Sequence, residues 1–554
     1  ATGTTAWSYD WTPVLAGSTT IKSRAIDNNG NVQNPPTQIT VTVLDASPPT
    51  STISYPATGA LLLTAHLVNI SGGAIDFGGG TVAKVEISLD GGSTYSAATG
   101  TTAWKYPWTP TAPGSVTIKS RAVDTSGNLQ AIPDEITVTI RTPVTIKVPA
   151  DQPTIQAAID VAEYGDTVLV AAGTYTENID FRGKAITVTS ESGPEFTFID
   201  GGNANPVAVF ASGERLDSVL NGFTLQNGRM GLTGDGGGIS INESSPTITN
   251  NVIRNNQGCN GSGIGIRFGS PLIQLNTITN NSNDGSTGCS GGGGGISIAG
   301  AGSVEIFDNV ISNNMNSIGD GGGIFMSGAG TSIIKRNVIK GNNAAGLGGG
   351  IYSTTDALIV QNLITDNQAY TGGGLYWLVP QGDRGPILVN NTIADNNATS
   401  IGSGIVADGY DAQAELINNI IVARPGQVGL YCGGLFNQDR PIIRFNNVVS
   451  AGGTAYEGSC ADRIGMDGNI SADPLFTNPT EGDYHLQPAS PSIDTGDNQE
   501  PNLPDKDLDG FPRIVDGDGD GTAIVDMGVY EFRRPIRVPA DQPTIQAAID
   551  IAND

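Results

Sequence analysis

Between residues 245 and 449, polar and apolar positions repeat in two short phrases that alternate along the chain. The first phrase is an asparagine followed by two mostly β-branched apolar residues, and its copies begin at Asn251, Asn276, Asn309, Asn337, Asn362, Asn391, Asn419 and Asn447. The second is a glycine followed by isoleucine or leucine, and its copies begin at Gly238, Gly263, Gly295, Gly323, Gly350, Gly374, Gly404 and Gly429. Steps of 25 to 33 residues between the asparagines match the coil of a β-solenoid. Because both columns keep one period, each coil is predicted to stack on the last and to bury its apolar side chains in a shared core.

A second asparagine column follows the first. Five positions after most of the strand asparagines stand Asn256, Asn281, Asn314, Asn342, Asn367 and Asn396. Equivalent residues of adjacent coils lie about 4.8 Å apart, so these amides are predicted to hydrogen-bond along the stack. One position before this column, two successive coils carry Asp366 and Asp395. Their carboxylates would be neighbours, which could hold a cation or share a proton for acid–base chemistry.

In each glycine phrase, the residue that follows the isoleucine or leucine is predicted to point outward. In four coils this residue is aromatic, at Phe325, Tyr352, Tyr376 and Tyr431. Three of the aromatics stand in consecutive coils and would form an apolar stripe of about 10 Å. Such a stripe could stack on a glycan or contact a protein partner. Cover by a neighbouring loop, such as 378–386, is the alternative.

The first 142 residues follow a different pattern. Residues 1–45 return at 98–142 with most residues unchanged, so Trp7 corresponds to Trp104 and Arg24 to Arg121. Apolar and polar residues alternate in runs such as 85–89 and 136–140, which predicts an antiparallel β-sandwich. The pattern resembles the bacterial Ig-like domains found in tandem on large surface proteins, which usually serve as spacers or adhesive modules. We therefore expect the C-terminal part of one such domain at 1–45 and a complete domain at 46–142.

A helix signal opens the region 143–535. Thr154 is a candidate N-cap, and Ile155, Ala158, Ile159 and Ala162 form one apolar helical stripe. Short strand patterns at 165–170 and 172–175 follow. This succession resembles the entrance of right-handed parallel β-helices of the pectate-lyase and pectin-methylesterase type, in which a short helix caps the first coil. The resemblance implies an all-β chain whose main domain is a right-handed, single-stranded parallel β-helix.

The coil pattern stops between residues 476 and 531. Segments at 473–476, 483–486, 490–496 and 526–531 resemble the closing segment of secreted bacterial β-helix proteins of the choice-of-anchor kind. We expect the acidic stretch 470–535 to seal the open end of the stack. Residues 538–550 then repeat residues 148–160 without a difference, which predicts that a second β-helix starts within 536–554. The sequence is therefore interpreted as a window on a tandem array of modules.

The net charge and the cysteines indicate which partners and which location to expect. A net charge of −27 speaks against a nucleic-acid partner, which needs a basic surface, and favours cations as counter-ions. No apolar run reaches the length of a membrane-spanning helix, so no membrane insertion is expected in this segment. The four cysteines form two local pairs about one coil apart, Cys259 with Cys289 and Cys432 with Cys460. Two disulfides in an oxidising, extracellular or cell-surface location are predicted, with buried free thiols as the alternative.

An acidic stretch carries the strongest ligand signal. Asp505, Asp507, Asp509 and Asp516 follow the spacing of a calcium loop, with Gly510 at the turn position. A partial second copy comprises Asp516, Asp518, Asp520 and Asp526. Calcium is therefore the expected cofactor, and a solvated acidic turn is the alternative.

Two classes of function remain. The first is a non-catalytic extracellular structural or adhesive repeat protein, a subunit of a filament, stalk or matrix, with copies of itself or other surface proteins as partners. The second is a calcium-dependent polysaccharide lyase or another glycan-active β-helix enzyme. A lyase site needs acidic calcium ligands beside an arginine or lysine base, and Asp383 with Arg384 is the nearest candidate. No second carboxylate stands in register with them, so the non-catalytic interpretation is preferred.

Overall fold

The computed structural model describes residues 1–554 except 78–79, 232–233, 284, 286–290, 301, 329, 380–383, 410–413, 435–439, 541 and 552–554. The chain divides into two compact units, Ala1–Val144 and Thr145–Asp554. No helix within the described residues has the length and apolar character needed to cross a membrane.

The first unit is built from antiparallel β-strands. Residues 1–45 contain one two-stranded sheet, Gly17–Ser23 and Thr37–Val43. The following residues form a three-stranded sheet of Thr50–Tyr55, Val68–Ile75 and Ala103–Trp108. They also form a five-stranded sheet in the order Leu61–Leu63, Asp134–Arg141, Gly114–Asp124, Val82–Ser88 and Ser96–Ala97, whose first pair is parallel. Ile70 and Trp104 of the smaller sheet share one core with Val85, Ile118 and Val138 of the larger, so the predicted sandwich is confirmed.

The second unit begins with the strand Thr145–Val148 and the helix Ile155–Val161. Thr154 accepts a hydrogen bond from the Ala157 backbone N–H at 3.1 Å, which confirms the predicted N-cap. The apolar face of the helix, with Ile155 and Ile159, is buried in the core that the strands of this unit share. A second helix, Ile545–Ile551, stands near the end of the chain.

Parallel strands then wind into coils that contribute one strand to each of three long sheets. Sheet 1 contains Thr145–Val148, Thr167–Val170, Thr187–Ser190, Val219–Asn221, Thr247–Thr249, Leu272–Gln274, Glu305–Phe307, Ile333–Lys335, Leu358–Val360, Ile387–Val389, Glu415–Ile417 and Ile442–Arg444. Sheet 2 contains Gly173–Thr176, Thr197–Asp200, Thr224–Gln226, Val252–Arg254, Thr277–Thr279, Val310–Ser312, Val338–Lys340, Leu363–Thr365, Thr392–Ala394, Ile420–Ala423 and Asn447–Ser450. Sheet 3 contains Ile179–Asp180, Ala208–Phe210, Ile239–Asn242, Ile264–Arg267, Ile296–Ala299, Ile324–Ser327, Ile351–Ser353, Leu375–Leu378, Ile405–Asp408, Leu430–Cys432 and Tyr456–Gly458. A short sheet 4 contains Met315–Asn316, Asn343–Ala344, Gln368–Ala369 and Asn397–Ala398.

The predicted glycine column is in register through its whole length. Each isoleucine or leucine that follows the glycine pairs with its counterpart in the next coil, from Ile239 to Leu430. The glycines are needed because the coils approach closely. A Cβ at Gly323 would lie 2.6 Å from the carbonyl oxygen of Gly350 in the next coil, which is a clash.

Two continuous asparagine ladders hold the coils together. Ladder 1 lies between sheets 1 and 2 and comprises Asn251, Asn276, Asn309, Asn337, Asn362, Asn391, Asn419, Asn446 and Asn469. Ladder 2 follows sheet 2 and comprises Asn256, Asn281, Asn314, Asn342, Asn367 and Asn396, as predicted. The amide of each asparagine donates to the side-chain oxygen of the next at 2.9–3.2 Å in ladder 1 and at 2.9–3.0 Å in ladder 2. For the last asparagine phrase, the predicted first residue, Asn447, was wrong by one position. Ile420 pairs with Asn447, so Asn446 is the residue that continues ladder 1.

A residue in the left-handed region precedes each rung from Asn251 to Asn446 in ladder 1 and every rung of ladder 2. Before ladder 2 these residues are Asn255, Asn280, Asn313, Gly341, Asp366 and Asp395, which are types that tolerate positive φ. Before ladder 1 they include Leu275, Arg336 and Phe445, for which positive φ is unfavourable. The buried rung that follows holds the backbone in this bend by its hydrogen bonds.

The chain after the coils folds back along the side of the stack. This closing segment, residues 473–532, begins with a hairpin of Phe476–Asn478 and Asp483–Leu486 around the 3₁₀ turn Pro479–Glu481. Corner side chains of successive coils donate to its carbonyl oxygens, Arg336 to Asp507 at 2.9 Å and Gln361 to Lys506 at 2.7 Å.

Further along the stack, the Asn390 amide donates to the Asp526 carbonyl at 3.0 Å, and Asn418 Oδ1 accepts from the Asp497 N–H at 2.8 Å. The expectation that this segment seals the end of the stack was therefore wrong in geometry. Its apolar residues pack instead on outward-facing residues of sheet 2, such as Leu363 and Ile420.

A disulfide joins two successive coils at sheet 3. Cys432 and Cys460 are bonded with their Cα atoms 5.5 Å apart, which confirms this predicted pair. The second predicted pair cannot be placed in the same way, because Cys289 lies outside the described residues. Cys259, its predicted partner, is buried and is not a free thiol.

Candidate functional sites

An aromatic column runs along the outer face of sheet 3. Phe325, Tyr352 and Tyr376 occupy one register position in three successive strands. The Phe325 and Tyr352 rings stack with centroids 5.0 Å apart and planes 6° apart, and the Tyr352 and Tyr376 rings with 5.7 Å and 3°. Tyr431 stands in the same column beyond Val406. The sequence therefore predicted the register of this column correctly.

The column is largely covered by neighbouring side chains. Tyr352 is 8% exposed and Tyr376 is 4% exposed. The residues packed around them include Leu347, Leu378 and Ile401. Phe325 and Tyr431 are half-buried. A glycan or protein partner would therefore reach the two ends of the column and not the middle.

Two carboxylates border the column. The Tyr376 hydroxyl donates to Asp408 Oδ2 at 3.0 Å, and Asp320 Oδ1 accepts from the Leu347 N–H at 2.7 Å. Burial raises the pKa of both carboxyls above the ordinary value. Burial and the charge of Asp320 raise the pKa of Tyr352 to about 12. Burial and the charge of Asp408 likewise raise the pKa of Tyr376, so both tyrosines are neutral at physiological pH and are not bases.

The predicted carboxylate pair lies at the corner after sheet 2. Burial first, and then the charge of Asp395, raise the pKa of Asp366, while Arg424 and Lys340 act in the opposite direction. Arg424 lies 3.9 Å from Asp366 Oδ1 and donates through Nε to the Asp395 carbonyl at 2.8 Å. The Tyr484 hydroxyl of the closing segment donates to Asp395 Oδ2 at 2.9 Å. Asp395, the second carboxylate of the pair, is therefore hydrogen-bonded to the closing segment.

Two clefts open near the later coils. One of about 310 Å³ lies beside the closing hairpin and is lined by Asp395, Asp473 and Phe476, with no basic residue among the described residues that line it. The other, of about 630 Å³, is lined by Arg440, Arg444, Arg463, Phe445 and Asp467. The described lining of the first cleft therefore offers no base for lyase chemistry, and that of the second combines an aromatic ring with cationic groups.

The arginines of the larger cleft have acidic partners. Arg463 lies 3.1 Å from Asp467 and 3.3 Å from Asp462. Arg444 lies 3.1 Å from Glu500 of the closing segment. The earlier candidate base, Arg384, lies 3.7 Å from Glu415, and its expected acidic neighbour Asp383 lies outside the described residues.

The predicted calcium ligands are distributed along the closing segment. Asp516 and Asp518 come together with Asp494, and each offers one carboxylate oxygen within 4.8 Å of the others. Asp494 Oδ2 accepts from the Asp518 N–H at 2.7 Å, while its Oδ1 has no hydrogen-bond partner among the described residues. The remaining predicted ligands, which join no such group within the described part of the chain, are Asp505, Asp507, Asp509, Asp520 and Asp526.

Several of these other carboxylates serve as local acceptors. Asp507 is buried and accepts from the Phe511 and Glu531 N–H groups at 2.8 and 3.2 Å. Asp526 accepts from the Asp494 N–H at 2.7 Å, and Asp520 Oδ1 from the Thr522 N–H at 2.8 Å.

Sequence analysis did not find Asp494, because it lies outside the repeated spacing. Tyr484 and His485 were missed for the same reason. His485 bridges Asp483 at 2.6 Å and Asp509 at 2.7 Å. Partial burial acts to lower the pKa of His485, but the hydrogen bonds to the two carboxylates outweigh it and raise that pKa.

Two family models match parts of the chain, one in each unit. Residues 238–448 match the family model of the right-handed β-helix region, and residues 49–119 match that of the bacterial Ig domain. The fibronectin(III)-like modules of Clostridium thermocellum CbhA match with 20% identity and a TM-score of 0.16, over 23% of this chain and 64% of theirs. The family 28 exopolygalacturonase of Yersinia enterocolitica matches with 11% identity and a TM-score of 0.24, over 74% of this chain and 97% of its own. The comparison with curated proteins gave no match. By these family matches, the chain contains a bacterial Ig domain followed by a right-handed β-helix region.

Proposed function

We propose that this chain is a non-catalytic structural or adhesive part of an extracellular repeat protein. The observation that carries the proposal is the hydrogen bond from Tyr484 to Asp395. It shows that the closing segment contacts Asp395, one of the two neighbouring carboxylates that could serve acid–base chemistry. Carboxylates that work together as acid and base must both reach the substrate, whereas Asp395 is hydrogen-bonded to the molecule's own chain beside the exposed Asp366.

Rigidity is the second support for a structural role. Coils of a solenoid contact only their neighbours, so a stack can open locally. Here the closing segment also bonds to Arg336, Gln361, Asn390 and Asn418, which belong to four successive coils. Such links across several coils oppose local opening and suit a rod-like element of a filament, stalk or matrix.

The location and the partners follow from the chemistry of the surface. The Cys432–Cys460 disulfide and the bacterial Ig domain suit an oxidising extracellular setting. The expected partners are copies of this chain or other surface proteins, which would contact the ends of the aromatic column at Phe325 and Tyr431.

Enzyme assays test the absence of catalysis. The whole chain would be incubated with acidic polysaccharides in calcium and in chelator, and unsaturated products would be followed by their ultraviolet absorbance. We expect no turnover in either condition. Turnover that needs calcium and disappears in Asp395→Asn, but not in the exposed-residue control Asn343→Ala, would overturn the proposal.

Imaging tests the structural role directly. Electron microscopy of native material should show this protein in filaments or in a continuous surface layer. Native material that contains only monodisperse particles would contradict a structural assembly.

We also propose that Asp494, Asp516 and Asp518 bind calcium and stiffen the closing segment. The three oxygens lie within the span of a calcium coordination shell. Chelation should accelerate hydrogen exchange within residues 514–526 of the wild type and should not accelerate it further in Asp516→Asn. Wild-type exchange in these residues that does not respond to chelation would remove this assignment.

A calcium-dependent polysaccharide lyase is the second candidate. The arginine-lined cleft favours it, because Arg440, Arg463 and Phe445 could bind an anionic sugar chain. In that case Arg463→Ala would abolish polysaccharide binding in a pull-down assay, whereas the structural proposal expects wild type and variant to bind equally little.

A further inference from the structure

A second acidic group lies in the first unit, far along the chain from the predicted calcium ligands. Asp45 follows the strand Thr37–Val43, Asp76 follows Val68–Ile75, and Asp124 ends Gly114–Asp124. Each offers one carboxylate oxygen, and the three oxygens lie within 4.8 Å of one another. No sequence spacing indicated this group, because its members come from three separate strands.

Asp45 supplies an independent indication of a ligand. The residue is only 9% exposed, and its Oδ1 accepts from the Ser47 N–H at 2.9 Å. Its Oδ2 is buried without a hydrogen-bond partner among the described residues. A buried carboxylate oxygen without a donor is unfavourable unless a cation or a proton compensates it.

The geometry around Gly80 shows where these oxygens point. A Cβ at Gly80 would lie 2.2 Å from Asp45 Oδ2 and 2.6 Å from Asp76 Oδ2. Both oxygens therefore face the same small space beside the glycine. Any larger residue at this position would fill that space.

Hydrogen bonds fix the position of the third carboxylate, Asp124. Its Oδ1 accepts from the Ser126 and Asn128 N–H groups at 2.9 and 2.8 Å, and its Oδ2 accepts from Asn128 Nδ2 at 2.8 Å. One lone pair of Oδ2 remains for a further ligand. Asn128 Nδ2 also donates to the Asp45 carbonyl at 3.0 Å, so this amide fixes Asp124 relative to Asp45.

We propose that Asp45, Asp76 and Asp124 bind a calcium ion. Calcium–oxygen distances of about 2.3–2.6 Å place two opposite ligands up to about 5 Å apart, which accommodates oxygens within 4.8 Å of one another. Magnesium needs shorter bonds and near-ideal octahedral geometry, so it fits this set less well. The ion would tie Asp45, at the boundary between the two Ig-like repeats, to the complete domain.

The internal repeat supplies a matched control. Asp27 corresponds to Asp124 and makes the same turn, accepting from the Asn29 and Asn31 N–H groups at 2.9 Å and from Asn31 Nδ2 at 2.8 Å. Asp27 is exposed and belongs to no group of three ligand oxygens among the described residues. Asp27→Asn therefore perturbs the same turn without touching the proposed site.

Hydrogen exchange of the whole chain tests the proposal locally. After chelator treatment, exchange would be followed in peptides 40–55 and 118–130, with and without calcium chloride. Calcium should slow exchange there by about 100-fold at a free concentration 100 times the dissociation constant. Asp27→Asn should keep this protection and Asp45→Asn should lose it.

Measurements without calcium separate the site from a merely structural role. In chelator, Asp45→Asn should exchange as slowly as wild type or more slowly, because it removes one of three clustered negative charges. The proposal is overturned if calcium does not protect the wild type, or if Asp45→Asn retains the protection. It is also overturned if the same concentration of magnesium chloride protects equally, or if Asp45→Asn exchanges faster in chelator. These peptides lie outside the closing segment, so the result does not depend on calcium binding at Asp494.

Discussion

Removing one rung of ladder 1 should destabilise the stack far more than removing an exposed asparagine of the same coil. Asn337 is fully buried. Its Oδ1 accepts from the backbone N–H of Asn309 at 2.9 Å and from the Asn309 amide at 3.0 Å. Its own amide donates to the carbonyls of Ile306 and Lys335 at 2.9 and 3.0 Å, and to Asn362 Oδ1 at 3.0 Å.

The expected cost of Asn337→Ala follows from these contacts. The Asn309 N–H loses its acceptor inside the protein, which costs about 1–3 kcal/mol. The Asn337 amide has two N–H donors, each of which contributes about 0.5–1.5 kcal/mol net, so the whole effect should be about 2–6 kcal/mol. Asn343 is exposed in the same coil, and Asn343→Ala should stay within about 0.5 kcal/mol of wild type.

Native-state hydrogen exchange is the assay, because a stack can open locally without unfolding throughout. Exchange in the strands Glu305–Phe307 and Ile333–Lys335 should accelerate at least about 30-fold in Asn337→Ala, since about 1.4 kcal/mol corresponds to a tenfold change. Equal exchange in Asn337→Ala and Asn343→Ala would refute the reasoning.

A double variant checks the mechanism. Asn337→Ala combined with Asn362→Ala should cost less than the sum of the two single changes, because both singles lose the hydrogen bonds that the two rungs share. Strict additivity would show that the rungs act independently and that the ladder is not a connected network.

Three further predictions concern the later coils. Asp366→Asn should raise the free energy of unfolding by a few tenths of a kcal/mol at neutral pH and should leave it unchanged below about pH 4. Burial and the carboxylate of Asp395 in the next coil raise the pKa of Asp366. The wild type therefore loses stability as the pH rises from the ordinary aspartate pKa toward the raised pKa of Asp366. A stability difference between variant and wild type that does not change with pH would contradict this. Replacing both Cys432 and Cys460 by serine should cost about 3–4 kcal/mol in urea unfolding, because the bond closes a loop of 28 residues, and an unchanged midpoint would contradict it. Tyr376→Phe should cost about 1 kcal/mol in thermal unfolding, because Asp408 loses its donor while the ring stack remains; full wild-type stability would count against that bond.

The periodic part of the fold was predictable because its signal is local and repeated. The glycine column, ladder 2 and the aromatic column all follow from residue spacing, since one register shift would move every apolar side chain out of the core. The error at Asn447 arose because two asparagines stand together there, and only the strand pairing shows that Asn446 is the rung.

The candidate sites were less predictable because their members are not periodic. Arg336 bonds to Asp507 across 171 residues, and no spacing rule links such positions. The same applies to Asp45 and Asp124, which come together only because the sandwich folds. Sequence reasoning therefore found the columns that run along the stack and missed the contacts that cross it.

Arg424 explains the carboxylate pair without catalysis. It occupies the position of the next rung after Asn396, where ladder 2 ends. Its Nε donates to the Asp395 carbonyl at 2.8 Å, so a guanidinium stands at the next rung position and bonds to the backbone beside the last rung. Arg424 also lies 3.9 Å from Asp366 Oδ1 and partly offsets the burial and the charge of Asp395 that raise the pKa of Asp366. Asp366 and Asp395 therefore stand where ladder 2 ends, which is the setting that the proposed structural role expects.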